Sequence, residues 1–339
     1  MLFSEWMTKW HNTYCKPLEE TTYWNYESYI IVHIMPGLGS SPLQKLLPSD
    51  VQIFINAKSE SGRADGKEGG LSPRTVNHLH FLIQAAIEKA KDEGLINRNG
   101  VDKIILPKME KKEADYLRPD EVDRFLNVAE GDRLFPALYM ELGTGLRRGE
   151  LLGLMWSDID FQAGTAMPRR QLVLLRGRPK LKDGTKNTRR TTRAPLPKDV
   201  IEVLRFHKRR QDAEKEFCGQ AYEDSGLVFY QPNGRRISTR SFVRHFDLLL
   251  KSADITHIAL HGTGHVHAVE LLAAGVDMKA LQEQRLGHAD LRTTGNIYGH
   301  VGEMLQEDAA EKADMFLNRR KHKTAAAPKT KTSRKRKTG

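Results

Sequence analysis

The side chains best suited to chemistry lie near the C-terminus, between Ala253 and Val301. Four histidines fall within eleven positions there, followed by Leu286-Gly287-His288 and, ten residues later, by Tyr298. A tyrosine hydroxyl can serve as a nucleophile, and imidazoles gain and lose protons near neutral pH. His261 and His265 have the i, i+4 spacing of a metal-binding pair. Because no nearby cysteine or acidic residue is placed to complete a zinc site, we predict no metal ion.

A second stretch, from Met140 to Asp160, combines glycines, an arginine with an acid, and an apolar helical pattern. It contains Thr144-Gly145-Leu146-Arg147, then Glu150, then Leu154-Met155-Trp156-Ser157-Asp158. Arg147 and Glu150 are three residues apart, which places them on one face of a helix. The glycines allow a tight backbone turn before the arginine. A guanidinium at such a turn suits phosphate oxygens, because its planar fork matches their geometry.

In combination, the two stretches resemble the catalytic region of the tyrosine recombinase (phage integrase) family. That family has Thr-Gly-Leu-Arg with Glu three residues on, then His-x-x-Arg, Leu-Gly-His, and a tyrosine followed by Ser/Gly-His. The resemblance implies that Tyr298 attacks a DNA phosphodiester and forms a 3′-phosphotyrosine. It also implies that Arg147 binds the phosphate with Glu150 in support, while His261 and His288 donate hydrogen bonds or move protons.

The family also places a catalytic lysine in a β-hairpin, and the basic segment of this chain offers several candidates. Alignment back from Pro195-Leu196-Pro197 assigns the role to Lys186. Lys180 and Lys182 are alternatives, because hairpins differ in length. Such a lysine would protonate the leaving 5′-oxygen. The energy of the broken bond is kept in the phosphotyrosine link, so the resemblance implies no metal, nucleotide or other cofactor.

One residue departs from the family pattern. Gly264 stands three residues after His261, where the family has its second arginine. Val266 replaces the usual threonine, and the segment from Gly275 to Leu286 is one residue longer than usual. Two hypotheses follow. The chain is a site-specific recombinase that integrates or excises a mobile element, or it is a relative that has lost catalysis and only occupies DNA sites.

Positive charge is concentrated in two segments. The net charge of the chain is +11. The tail from Arg319 to Gly339 has ten Lys/Arg and no acid. A second segment, Arg169–Arg193, has ten Lys/Arg and one acid. Such segments favour contact with phosphates. Six arginines are candidate DNA contacts: Arg74, Arg148, Arg189, Arg190, Arg240 and Arg244. The resemblance implies double-stranded attachment sites, a homotetramer on two duplexes, and room for accessory DNA-bending or directionality proteins.

Length and composition indicate a soluble globular chain in two main parts. Its 339 residues are 39% hydrophobic and 29% charged, with no apolar run long enough to span a membrane and no signal peptide. Two cysteines give no disulfide framework, so we expect a cytoplasmic protein that is nucleoid-associated when bound to DNA.

We predict a mostly α-helical fold with a small antiparallel β-sheet (α+β). The predicted parts are a helical, SAM-like core-binding domain at 1–107, a linker at 108–116, a catalytic domain at 117–318 and a disordered basic tail at 319–339. The resemblance suggests no arm-binding domain ahead of the first part.

Helix boundaries in the first part follow from local signals. Trp6, Trp10 and Tyr14 recur every four residues, which predicts one buried helix face. The segment Pro36-Gly37-Leu38-Gly39 is expected to break the next helix. Ser72 fits the N-cap of a longer helix, with proline at its first position.

Overall fold

The computed structural model describes residues 1–97, 101–109, 117–184, 193–256, 258–260 and 262–276. The described residues form two compact units. The first is drawn from Met1–Lys112 with Val173–Lys180, and the second from Glu113–Leu172 with Leu181–Gly339. Helices predominate and the strands are short, so the predicted fold class is confirmed. The domain limits at 107 and 117 stay predictions. None of the described helices is long and apolar enough to cross a bilayer.

The first unit is helical apart from the hairpin residues it includes. Its α-helices are α1 (Phe3–Trp10), α2 (Glu20–Tyr29), α3 (Met35–Leu38), α4 (Pro48–Ser61) and α5 (Pro73–Asp92). Two π-helical turns, His11–Cys15 and Ile30–Ile34, continue α1 and α2. Short 3-10 turns occupy Leu43–Lys45 and Val101–Lys103.

The core of this unit forms where α1 packs against α5. Trp6 is fully buried, and its indole nitrogen donates a hydrogen bond to the carbonyl of Ala86 at 2.8 Å. Ser72 caps α5 as predicted, because its hydroxyl accepts from the amide of Thr75 at 3.2 Å. The apolar side chains of α5 share one buried face: Val76, Leu79, Leu82, Ile83, Ala86, Ile87 and Ala90.

One spacing prediction in this unit is wrong. The π turn His11–Cys15 adds a residue to the helical spacing, so Tyr14 leaves the face of Trp6 and is exposed. The helix expected to break at Pro36-Gly37-Leu38-Gly39 runs through the π turn Ile30–Ile34 into α3. It ends at Leu38 with Gly39 as its C-cap, which lies within the predicted segment.

The second unit combines six described α-helices with a three-stranded sheet and the ends of a hairpin, whose residues Val173–Lys180 belong to the first unit. The helices are α6 (Pro119–Ala129), α7 (Phe135–Thr144), α8 (Arg148–Leu152), α9 (Lys198–Cys218), α10 (Thr239–Ser252) and α11 (Gly262–Ala273). The strands are β1 (Ile159–Asp160), β2 (Thr165–Ala166), β3 (Arg170–Leu175), β4 (Arg178–Asp183) and β5 (Ala194–Pro195). Strands β1, β2 and β5 form an antiparallel sheet in which Ala166 pairs with Ile159 and Ala194.

Strands β3 and β4 form the predicted hairpin around the basic segment. The two residues between them, Arg176 and Gly177, both have positive φ angles of 48° and 76°. Such a pair matches the twist of the flanking strands, as in a type I′ turn.

The core of the second unit surrounds α7 and α10. Phe125 of α6 and Phe246 of α10 are fully buried and meet edge to face. At the rim of this core, the Trp156 indole donates to Gln211 of α9 and stacks on Phe161. Helix α11, which contains Gly264, packs against α7, the helix that ends just before Arg147.

Candidate active site

Arg147 is held by Glu150 in the geometry that their spacing predicts. The backbone amide of Arg147 donates to Glu150 Oε2 at 3.1 Å, and its guanidinium Nη1 donates to Glu150 Oε1 at 3.3 Å. The Glu150 side chain is 2% exposed, whereas that of Arg147 is 29% exposed. The acid is therefore a buried anchor, and the Arg147 side chain is partly exposed, as contact with a phosphate requires.

The turn that presents Arg147 is built from the Thr-Gly-Leu segment before it. Helix α7 ends at Gly145, whose φ of 61° lies in the left-handed region that favours glycine. Thr144 closes the last turn by donating its hydroxyl to the Met140 carbonyl at 2.6 Å. The chain then extends through the buried Leu146 to Arg147, which caps α8. Two abutting helix ends thus fix the arginine backbone.

Gly264 lies in the first turn of α11, with the buried Thr263 just before it. A Cβ built at Gly264 would meet no atom within 4 Å among the described residues. Val266 and His267 point into the core, with exposures of 3% and 6%. The glycines at 262 and 264 do not prevent a helix here, since packing against α7 compensates for their low helix propensity.

The lysine candidates divide between described and undescribed residues. Lys180 belongs to the first unit, where its Nζ lies 3.0 Å from a carboxylate oxygen of Glu20. This ion pair makes Lys180 a weaker candidate for the general acid. Lys182 is half-buried on β4. Lys186 lies outside the described residues, so its assignment stays a prediction.

Part of the basic segment serves structure. Asp158, the last residue of the Leu-x-Trp-x-Asp motif, has a buried carboxylate that accepts from Arg170 Nη1 at 3.0 Å and from the Met155 amide at 3.0 Å. Arg169 lies 3.8 Å from the same carboxylate. The sequence count credited both arginines to phosphate contact. The sequence feature that could have indicated this partner is Asp158 itself, an acidic residue within an apolar motif.

The described candidate DNA contacts are all exposed. Arg74 lies in the first turn of α5, and Arg148 begins α8 next to Arg147. Arg240 and Arg244 lie one turn apart on the outer face of α10, whose inner face buries Phe242 and Phe246. Surface positions are what phosphate contact requires. The contacts themselves stay predictions.

Five predicted site residues besides Lys186 lie outside the described part of the chain: Arg189, Arg190, His261, His288 and Tyr298. Among the residues that are described, no cluster of three His, Cys, Asp or Glu side chains could hold a metal ion. Because His261 lies outside the described residues, the absence of a metal also stays a prediction.

Comparison with known proteins places this arrangement in a family. The pattern of the phage integrase family matches residues 115–304, and that of the phage integrase N-terminal SAM-like domain matches residues 2–59. The chain belongs to the phage integrase family. These enzymes are tyrosine recombinases, so the resemblance drawn from Arg147, Glu150 and the C-terminal motif is confirmed at the level of the family.

Two relatives show how far the likeness extends. A tyrosine recombinase XerC-like protein of Caldanaerobacter subterraneus subsp. tengcongensis is 28% identical over 313 residues, which cover 86% of this chain and 76% of the relative. The ICEBs1 integrase of Bacillus subtilis is 28% identical over 312 residues, covering 89% and 80%. Site-specific DNA recombination is thus the activity of the class to which this phage integrase belongs.

Solved structures agree with the fold. The Tn1549 transposon integrase bound to circular intermediate DNA superposes with a TM-score of 0.71 at 22% identity, covering 88% of this chain and 95% of that chain. A lambda integrase tetramer bound to a Holliday junction gives 0.62 at 19% identity, covering 87% and 77%. At these identities the likeness concerns the fold.

Proposed function

We propose that this chain is the recombinase of a phage or another mobile element, which cuts and rejoins DNA through a 3′-phosphotyrosine. The observation that supports this most strongly is the anchored arginine. Arg147 is fixed through both its backbone and its guanidinium by the buried Glu150, and it remains partly open to solvent. Such preorganised cations stabilise the charge that develops on phosphate oxygens in a transition state.

In the proposed reaction, the Tyr298 oxygen attacks phosphorus, its phenolic proton passes to His261 or His288, and the bond from phosphorus to the 5′-oxygen breaks. Lys186 gives its proton to that 5′-oxygen, so a free 5′-hydroxyl leaves. Arg147 neutralises the non-bridging oxygens, together with hydrogen bonds from the histidines. In the second step a 5′-hydroxyl of the partner strand attacks the phosphotyrosine and gives its proton to Lys186, while the histidine returns the proton to Tyr298. Bonds and protons balance over the two steps, so no cofactor is required.

The partners proposed are double-stranded attachment sites and three further copies of this chain. The lambda integrase tetramer on a Holliday junction supports a tetramer on two duplexes. We place the protein in the cytoplasm, on nucleoid DNA. Accessory DNA-bending or directionality proteins stay a prediction.

Gly264 supports a second candidate function, in which the chain binds its sites and does not cut them. Loss of one preorganised donor to a transition-state oxyanion typically costs about 10²–10³ in rate. Loss of a charge-neutralising arginine in phosphoryl transfer costs roughly 10³–10⁵. A Cβ built at Gly264 meets no described atom within 4 Å, so the position has room for the side chain that the family pattern places there.

Covalent trapping distinguishes the two functions. A binding sequence is first selected from a random duplex pool with the full chain, and nicked suicide substrates are built from it. Wild type, Gly264→Arg and Tyr298→Phe are then compared for a protein–DNA adduct that resists denaturant. A Cβ at position 264 meets no described atom, so the arginine variant is expected to fold.

We expect an adduct from Gly264→Arg at a rate about 10²-fold or more above that of wild type, and none from Tyr298→Phe. Equal rates for wild type and Gly264→Arg would show that another group supplies the second cation. An adduct that survives in Tyr298→Phe would remove that residue from the nucleophile's role. If wild type and Gly264→Arg both bind the selected DNA and neither forms an adduct, the second candidate function, DNA binding without cutting, is the one supported.

A further inference from the structure

Helix α8 has a glycine at its second residue, Gly149, and another at its C-cap, Gly153. A Cβ built at Gly153 would lie 3.0 Å from the Gln171 Cα, 3.0 Å from the Leu172 amide nitrogen and 3.1 Å from the Arg170 carbonyl oxygen. A Cβ built at Gly149 would lie 3.1 Å from the Leu172 carbonyl oxygen. These atoms belong to the backbone of β3, which cannot rotate aside as a side chain can. Strand β3 therefore packs against α8 at a distance that leaves no room for a side chain.

The backbone conformation does not by itself call for glycine at either position. Gly153 has φ and ψ of −95° and −2°, which other residues also adopt, and Gly149 lies within the helix. Alanine would favour the helix more strongly than glycine does. The contact with β3 is thus what explains the absence of a side chain at both positions.

Further contacts fix the same end of the hairpin. Arg170 Nη1 lies 3.0 Å from the buried carboxylate of Asp158, and the Leu172 side chain is 3% exposed. The amide of Gly184 donates to the carbonyl of Arg169 at 2.8 Å and closes the base of the hairpin. The base of the hairpin is therefore held by an ion pair and by apolar burial, as well as by its contact with α8.

The register of the hairpin places a lysine beside this contact. The two-residue turn at 176–177 and the bond from Gly184 to Arg169 agree on one register. In that register Lys182 lies opposite Gln171, the residue that an added Cβ at either glycine would meet. Residues directly opposite each other in an antiparallel pair have Cβ atoms about 4.5–5.5 Å apart. A shift of β3 away from α8 would therefore move Lys182 as well.

We infer that Gly149 and Gly153 are positioning residues, which seat the base of the β3–β4 hairpin on α8 and so fix the lysine-bearing strand relative to Arg147. Arg147 caps the N-terminus of the same short helix. Lys182 lies on the seated strand, and Lys186 follows it by four residues in the sequence. Helix α8 thus links the phosphate-binding arginine to the strand that leads to the general acid. The link to catalysis rests on the proposed function; the seating itself does not.

The sign of the stability change tests the seating. Urea unfolding of the full chain compares Gly149→Ala and Gly153→Ala with Gly131→Ala, where an added Cβ meets no described atom within 4 Å. The unfolding constant should rise roughly tenfold in Gly153→Ala. It should rise by a smaller factor in Gly149→Ala, where the added Cβ meets the strand less closely. If both variants were as stable as Gly131→Ala or more so, β3 would not be seated on these glycines.

Hydrogen exchange locates the effect. Peptides from residues 170–183 should exchange roughly fivefold faster in Gly149→Ala and Gly153→Ala than in wild type, after the change seen in α10 is taken into account. Gly131→Ala should leave both regions unchanged relative to each other. An equal change in the hairpin and in α10 would mean that the glycines stabilise the unit as a whole and do not seat the hairpin.

The leaving group distinguishes a positioning role from a merely structural one. Adduct formation is measured in whichever of wild type and Gly264→Arg reacts faster, on natural DNA and on DNA with sulfur in place of the leaving 5′-oxygen. A thiolate leaves without a proton, because thiols are much more acidic than alcohols. Gly153→Ala should lose about tenfold or more on natural DNA and less than about threefold on the sulfur substrate. An equal loss on both substrates, or no loss, would show that the seat does not place the proton donor.

Arg170→Gln loosens the same strand without adding volume, so it decides the positioning role even if the glycine variants do not fold. It removes the ion pair with Asp158, and Arg170→Lys keeps the charge. Arg170→Gln should lose rate on natural DNA and retain it on the sulfur substrate, and Arg170→Lys should recover most of the rate. Loss on both substrates would contradict the inference. If no parent forms an adduct on either substrate, the proposed recombinase activity fails, while unfolding and exchange still decide the seating.

Discussion

Glu150 and Arg147 differ in exposure, at 2% and 29% of their side chains. The acid is almost fully buried, so its two oxygens present fixed acceptors to the backbone and the guanidinium of Arg147. The arginine loses conformational freedom before any DNA binds. Preorganisation of this kind reduces the entropy that substrate binding must otherwise supply.

Two substitutions at Glu150 should separate the contribution of its capping hydrogen bond from that of its negative charge. Glu150→Gln can still accept from the Arg147 amide but loses the ion pair, so the free energy of unfolding should change by less than about 1 kcal/mol. Glu150→Ala removes both hydrogen bonds and should lower it by roughly 1–3 kcal/mol. Urea unfolding of the full chain measures both.

Adduct rates should rank the same variants differently. The rates of adduct formation of Glu150→Gln and Glu150→Ala should both fall by about tenfold or more relative to the protein into which they are introduced. The reason is that each substitution frees the Arg147 guanidinium. If Glu150→Gln retained the full rate, the ion pair at 3.3 Å would have no part in orienting the arginine.

At the scale of single residues, the sequence predicted pairs that are close along the chain. Arg147 and Glu150 are on one turn, and helical geometry alone brings them together. The burial of Glu141 and of Thr263, by contrast, depends on how α7 packs against α11. No local rule relates residues so far apart in sequence. Glu141 stands out only as an acid in an otherwise apolar helix, which signals an exception without naming the helix that packs on it.

At the scale of elements, α5 shows where local signals suffice. Its cap, its proline and its buried face all agree, and the helix begins at the predicted residue. Ser72→Ala should remove the bond to the Thr75 amide and lower the free energy of unfolding of the first unit by about 1 kcal/mol. Ser28→Ala, at an exposed position of α2, is the matched control and should stay within about 0.5 kcal/mol. Equal effects would mean that the cap contributes nothing.

Helix α9 contains a histidine that should limit stability in acid. His207 is buried, its Nε2 donates to the Val228 carbonyl at 2.7 Å, and its Nδ1 accepts from Arg210 at 3.1 Å. Burial lowers the pKa of His207 to about 4, so the neutral ring is the folded form. As pH falls from about 6.5 towards 4, the unfolded chain gains the proton first. The unfolding constant should therefore rise by up to about tenfold for each unit by which the pH falls in this range.

His207→Gln tests this assignment by removing the titrating ring. The difference in unfolding free energy between wild type and variant should shrink as pH falls through that window. Circular dichroism at several urea concentrations and pH values follows it. A constant difference from pH 7 to pH 4 would mean that His207 is not the group responsible.

The π turns mark the limit of element prediction. Periodicity assumes 3.6 residues per turn, and an inserted residue rotates everything after it. Tyr14 follows such an insertion and leaves the core, although its spacing from Trp10 is that of a regular helix.

At the scale of the whole molecule, charge is distributed unevenly. The last 21 residues supply ten positive charges, which nearly account for the net charge of +11. Truncation after Asn318 should weaken binding to any duplex and reduce the slope of log K against log salt by roughly 0.9 for each phosphate that the tail neutralises in the intact chain. Preference among selected sequences should be unchanged, because tail contacts of this kind do not read bases.

Fluorescence anisotropy from 50 to 300 mM salt measures both quantities for the intact and truncated chains. An unchanged slope would place the electrostatic contact within the folded units.

The sequence predicted two main parts and the fold class, because composition and motifs are properties of long segments of the chain. The assignment of Val173–Lys180 to the first unit was not predicted, since it depends on tertiary contacts.

The tryptophans are divided unequally between the two compact units. Of the four in the chain, Trp6, Trp10 and Trp24 lie in the first unit, and Trp156 is alone in the second, hydrogen-bonded to Gln211. The molecule therefore carries its own optical labels. In a Trp156→Phe background, indole emission reports only the first unit, and the difference from wild type isolates the second. The order in which the two units lose their structure can be read without attaching a dye.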